Sequence, residues 1–133
     1  MTLFQRLCNK VLISIRRKKN YSMHYKMWDY IAARLQSDSE CILNDSMYIS
    51  KLKKRFLEIS HYKKAVFKNC FLCDLYYGTL KCHDCRECPL RKLYNTSCVG
   101  DNSPFRTVCN IENKRAVRVE AAKMIRDCIL GKE

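Results

Sequence analysis

The 133-residue sequence predicts a mainly α-helical protein of three to four helices, with a loop-rich, zinc-bound cysteine cluster before the last helix. Three observations predict it. Apolar residues recur at steps of three and four over most of residues 3–69 and 110–130, which is the helical period. Only 3 Gly and 2 Pro punctuate the chain, too few for a turn-rich β-sandwich or a collagen-like repeat. Seven of the 10 cysteines fall between Cys70 and Cys109, where the helical period is lost. With 47% hydrophobic and 29% charged residues the composition is globular rather than disordered. No apolar stretch approaches the roughly 20 residues of a membrane-spanning helix.

The elements follow in chain order. Leu3, Phe4, Leu7, Val11, Leu12 and Ile15 share one helical face, and no acidic residue precedes Asp29. This first helix and the run Arg16, Arg17, Lys18 and Lys19 are therefore purely cationic. Three roles are open to it: a core helix with a basic back, a surface helix for membrane or nucleic acid, or an organellar presequence. A second helix starts near Ser22, a good N-cap residue, and runs to about Gln36, burying Met27 or Trp28, Ile31 and Leu35. Polar residues 37–40 and 44–46 are loop and cap signals. A long helix over roughly Ser46–Asn69 follows, with Ile49, Leu52, Phe56, Ile59, Tyr62 and Val66 as its stripe. Lys51, Lys53, Lys54, Arg55, Lys63, Lys64 and Lys68 face one acid, Glu58, along it, and form the strongest candidate basic patch. Residues 70–109 read as the loop-rich metal-bound segment, with one short β-hairpin a candidate around Tyr76–Thr79. Asn110 to Leu130 is the last helix, with Val117, Ala121, Met124, Ile125, Cys128 and Ile129 inward and Gly131 placed as a C-terminal cap. The organisation is one compact domain: 1–69 helical and basic, 70–109 cysteine-rich, 110–133 a helix packing on the first region.

The start of the chain does not read as a secretory signal, because Arg6, Asn9 and Lys10 interrupt its apolar core and no small-residue cleavage site follows. A reducing, cytoplasmic setting is expected, in which clustered cysteines bind metal more often than each other. Cys70-x-x-Cys73 and Cys85-x-x-Cys88 are two turns that each aim a thiolate pair at one ion, enough for a tetrahedral Zn²⁺ site. Cys82, Cys98, Cys109 and His83 are alternates, since Cys82-x-x-Cys85 overlaps the second pair, and seven cysteines with one histidine could serve two ions. A closed Cys₄ site is structural, because it leaves no position for water or substrate. Iron–sulfur ligation is a lesser alternative: Pro89 follows the third cysteine of the 82/85/88 run directly, whereas ferredoxin runs continue to a fourth cysteine first. Cys8 and Cys128 lie on apolar helical faces and read as small hydrophobes.

Trp28 in a short helix, Cys70-x-x-Cys73, Cys85-x-x-Cys88-Pro89-Leu90, Cys98, and a last helix with Arg118 and Ala121–Ala122 together resemble a group of small cysteine-rich bacteriophage proteins. The resemblance covers roughly residues 23–130. It implies zinc on Cys70, Cys73, Cys85 and Cys88, with Cys98 a fifth candidate, and residence in an infected bacterial cytoplasm. It transfers no activity. The cationic helix at 1–20 is additional to that pattern, and Cys82 and Cys109 enlarge the cluster.

No P-loop, H-E-x-x-H, G-x-S-x-G or Gly-rich dinucleotide turn is present. The zinc-deaminase pattern fails as well, since no proline precedes Cys70 or Cys85. The expectation is a non-enzymatic binder. A formal charge of +13, from 26 Lys and Arg against 13 Asp and Glu, suits an anionic partner. The first candidate is nucleic acid, or a nucleic-acid-associated host complex, met by Arg16–Lys19 and Lys51–Lys68 with Tyr62, Phe67, Tyr76 and Tyr77 near enough to stack on bases. The second is an acidic host protein, inhibited in an anti-defence or anti-CRISPR role.

Overall fold

A computed structural model describes residues 2–64, 66, 69–76 and 87–131. Among these the chain is mainly helical, but it forms seven helices rather than three or four, and no strand: α1 (Leu3–Ser37), α2 (Glu40–Leu43), α3 (Tyr48–Ile59), α4 (Phe71–Tyr76), α5 (Pro89–Tyr94), α6 (Pro104–Cys109) and α7 (Arg115–Asp127). The β-hairpin expected around Tyr76–Thr79 is corrected at its first residue, since Tyr76 ends α4. Residues 77–79 lie outside the described residues.

The two helices expected within residues 3–36 are one. Its N-cap Thr2 accepts from the Gln5 amide, while the Gln5 side chain accepts from the Thr2 amide, a reciprocal capping box. No Gly or Pro occurs between Leu3 and Ser37, and Arg and Lys are good helix formers, so nothing ends the helix at Arg16–Ser22. The helix expected to reach Asn69 stops at Ile59 instead. His61 takes a left-handed φ of 54°, its amide bonds Glu58 O at 3.1 Å, and the Tyr62 amide bonds Leu57 O at 3.0 Å. This is a Schellman motif with a histidine where glycine is usual.

Among the described residues of 70–109 there are three short helices, and two of them start at prolines. Pro89 and Pro104 occupy the first turns of α5 and α6, where a missing N–H costs nothing. Ser103 caps α6 by accepting from the Phe105 amide at 3.2 Å.

The core forms where α7 packs along the C-terminal half of α1, with α3 and α4 against α1 and α6 against α7. From α1 it takes Tyr21, Met27, Trp28, Ile31, Ala32 and Leu35, and from α7 Val119, Ala121, Ala122 and Ile125, followed by Cys128 and Ile129. Val117 and Met124, expected inward, are exposed, and their neighbours Arg118 and Ile125 take the buried positions. Gly131 does adopt a positive φ, 78°, past the end of α7.

Three arginines tie α7 to the other helices. Arg115 donates to the Leu35 and Gln36 carbonyls at the end of α1, at 2.8 and 3.1 Å, and pairs with Glu40. Arg126 pairs with Asp29 of α1 and with its neighbour Asp127. Arg118, only 2% exposed, donates Nε–H to Val108 O of α6 at 2.8 Å and Nη1–H to Leu43 O of α2 at 2.9 Å. Cations are favoured at such carbonyl-rich helix ends. Arg118→Met leaves both buried carbonyls without a donor and is expected to cost about 3 kcal/mol. A urea unfolding midpoint unchanged from the native protein would contradict this role.

Candidate metal centre and basic surface

Two polar contacts set the cysteine segment against α1. The Asn20 amide donates to Phe71 O at 2.9 Å, and the Tyr21 and Tyr76 hydroxyls hydrogen-bond to each other. Between these contacts α4 presents Cys73, with Cys70 just ahead of it. The Cys70 sulfur accepts the Cys73 amide at 3.4 Å and also a bond from the Leu72 amide. Backbone N–H groups turned onto the first sulfur stabilise a thiolate there.

Cys70 and Cys98 are the thiols that act on Cys73. Cys70, Cys73, Cys88 and Cys98 line one cavity of about 190 Å³, closed by His24, Trp28, Lys53 and Phe105. The Cys73 thiol holds the Cys70 pKa below its ordinary value, assisted by Lys53 and the two amides against the opposing effect of burial. The Cys73 pKa is raised by Cys70, by Cys98 and by burial. Among the described residues, no three or more His, Cys, Asp or Glu side chains already stand as a metal-holding group.

Of the expected metal ligands, Cys70, Cys73 and Cys88 share this cavity with the alternate Cys98. Cys85, and the alternates Cys82 and His83, lie outside the described residues. Cys109 ends α6, half-buried, with its pKa raised by desolvation. Cys8 is exposed, not the small hydrophobe in an apolar face that its spacing implied, and Cys128 is buried.

Lys53 is a correction. It was expected on the basic patch, yet it is 7% exposed, with Nζ 4.5 Å above the Phe105 ring and 5.6 Å from the Trp28 ring, which themselves meet edge-on. A cation held between two ring faces beside thiols is a component of the cavity and not of a binding surface. Helical periodicity could show that position 53 neighbours the stripe. It could not show that Trp28 and Phe105 arrive to cover it.

The remaining cations divide by position. Lys51 pairs with Asp45 and Arg55 with Glu58, so part of their charge is met within the chain. Lys54 is exposed, and Lys68 lies outside the described residues, as do Phe67 and Tyr77. Arg16, Lys18, Lys19, Lys63 and Lys64 are exposed, and Arg17 is half-buried. Lys19 Nζ sits 5.6 Å from the Tyr62 ring, which in turn packs edge-on against Phe71. That contact brings Arg16–Lys19, in the middle of α1, beside Tyr62–Lys64, which follow α3. Of the other aromatic residues proposed for stacking, Tyr76 is buried against Tyr21 and is therefore not available to a base.

His24 was not a candidate on sequence grounds. It is 1% exposed, its Nε2 lies 2.7 Å from Ile125 O and 3.7 Å from the Cys128 sulfur, and desolvation lowers its pKa to about 4. The ring is neutral in the fold and donates Nε2–H to the carbonyl. The unfolded chain binds the extra proton first, so the stabilisation is complete above the ordinary histidine value near 6.5 and is lost as the pH falls from there toward 4. The loss amounts to about 3 kcal/mol. The expected result is a steep fall in urea stability between pH 6.5 and 4.5 that is largely absent from His24→Gln. Parallel pH curves for the two proteins would refute it.

No protein-family model matches this chain, and neither curated proteins nor solved structures give a match. Among the described residues, no helix is long and apolar enough to cross a membrane.

Proposed function

We propose that this is a non-enzymatic, zinc-stabilised basic accessory protein that binds nucleic acid, in keeping with the bacteriophage resemblance. The observation that supports it best is the meeting of Lys19 with Tyr62, which assembles one exposed surface from two cationic segments distant in sequence. Arg16, Lys18, Lys19, Lys63 and Lys64 would each neutralise a phosphate and release counterions. Tyr62, half-buried and backed by Phe71, offers a supported ring beside them. Lys51 and Arg55, already paired with carboxylates, contribute less, and Lys53 contributes through the cavity alone.

The test is fluorescence anisotropy on labelled single-stranded and duplex oligonucleotides across a potassium chloride series. The native protein is expected to lose affinity log-linearly with salt. A Lys18→Glu, Lys19→Glu, Lys63→Glu and Lys64→Glu variant should bind at least tenfold more weakly, with a salt slope reduced by roughly three to four. Equal affinity and slope in the two proteins would overturn the assignment. Capture instead by an acidic protein that resists salt and heparin would transfer the surface to that class of partner.

Zinc belongs to the same proposal. The donor set fits: soft thiolates, one already served by amide N–H groups, with a lysine ammonium nearby to balance the excess negative charge of a thiolate-rich centre. Cys70, Cys73 and Cys98 would supply three ligands and Cys88 or Cys85 the fourth. When bound, Zn²⁺ supplies a cross-link that stabilises the fold without chemistry on a substrate. Elemental analysis should find about one zinc per chain in the native protein and in Cys8→Ser. Cys73→Ser and Cys98→Ser should each lose most of it, and chelation should lower the melting temperature. Full zinc content in Cys98→Ser would remove Cys98 from the set, and metal-free native protein of undiminished stability would end the assignment.

A further inference from the structure

The first half of α1 has a surface that neither the cysteine cavity nor the Lys19–Tyr62 patch uses. Its first buried residue is Asn20, and every residue from Leu3 to Leu12 is exposed. Leu3, Phe4, Leu7, Val11, Leu12 and Ile15 remain between 49% and 74% exposed, although they share one helical face. Of the three roles open to it, that of a core helix with a basic back is thereby corrected. At 100° per residue the stripe covers about half the helix circumference. The other side carries Gln5, Arg6, Asn9 and Lys10 with the half-buried Ile13 among them, and no acidic residue precedes Asp29.

We propose that this segment of α1 lies on an anionic lipid bilayer, its apolar stripe at the acyl boundary and its cations against the headgroups. Charge complementarity selects that occupant. A second copy of the helix could cover the stripe, but it would bring Arg6 and Lys10 close to their own kind, and no acidic residue precedes Asp29. A polyanion such as nucleic acid would meet the cations and leave the apolar side chains in water. A membrane surface rich in acidic lipid satisfies both faces at once. The broad stripe also differs from the narrow seam that a helix pair needs. The segment is too short and too cationic to span, so it binds flat.

The test is co-sedimentation of the full chain with sucrose-loaded vesicles of phosphatidylcholine containing about one-third phosphatidylglycerol, against pure phosphatidylcholine. Partitioning is expected to be at least tenfold stronger on the acidic vesicles. The double variant Leu7→Asp, Val11→Asp should lose it at least tenfold while keeping its helical circular dichroism and its oligonucleotide affinity, since neither residue touches the core. Equal partitioning on both vesicle types, or no effect of the double variant, would overturn the proposal. So would a native dimer in sedimentation velocity that ignores vesicles and that the double variant converts to monomer, because the stripe would then belong to a second copy. Oligonucleotide affinity is read separately, so this inference and the nucleic-acid assignment stand or fall apart.

Discussion

Arginine bonding from α7 is the constraint on which the rest of this fold depends. Short helices such as α4, α5 and α6 leave many carbonyls at their ends that no intrahelical donor can reach. Arg115 and Arg118 satisfy several of them, one at the end of α1 and the other at the ends of α2 and α6. Arg126 closes the opposite end through Asp29. The positive charge of this chain is therefore not all surface: part of it is structural, directed at backbone dipoles instead of solvent. Once α7 is fixed, α1 has a partner for its apolar half and the remaining helices have edges to pack on.

The cysteine cavity inherits its shape from that arrangement. Asn20 and Tyr21 of α1 hold both ends of α4, which sets Cys70 and Cys73 at one wall. Trp28 and Phe105 set Lys53 beside them. The same α1 that builds the cavity with its buried half extends away from the core with its cationic half. Arg16–Lys19 lies between the two, where Lys19 reaches Tyr62. The cation beside the thiols and the cations on the surface come from the same composition, yet they face opposite electrostatic tasks.

Helical character was legible because it is local. The steps of three and four in residues 3–15, 49–59 and 117–129 needed no tertiary information. Boundaries depended on finer chemistry. The run Arg16–Lys19 and Ser22 suggested a break, although neither removes a hydrogen bond or forces a backbone angle. His61 gave little warning of a left-handed stop, since glycine is the ordinary marker there. Ser103–Pro104 and Cys88–Pro89 are ordinary helix-start pairs, but the helices they open are only six residues long and too short to show a helical period. Lys53, His24 and Arg118 were beyond reach for a different reason: each is polar by type and buried by neighbours that arrive from distant segments. Cys98 was within reach as an alternate ligand, and it lines the same cavity as Cys70, Cys73 and Cys88.

The unbroken course of α1 has a mechanical consequence. Between Leu3 and Ser37 there is no glycine, no proline and no left-handed residue, so the helix is a stiff lever about 50 Å long at 1.5 Å per residue. Its free arm ends at Leu3, and its anchored arm bears Asn20, His24 and Trp28, which touch the cysteine segment and α7. Any torque delivered to the tip is passed without a hinge to the residues that frame the sulfurs, so that the outermost turn and the innermost cavity answer as one body.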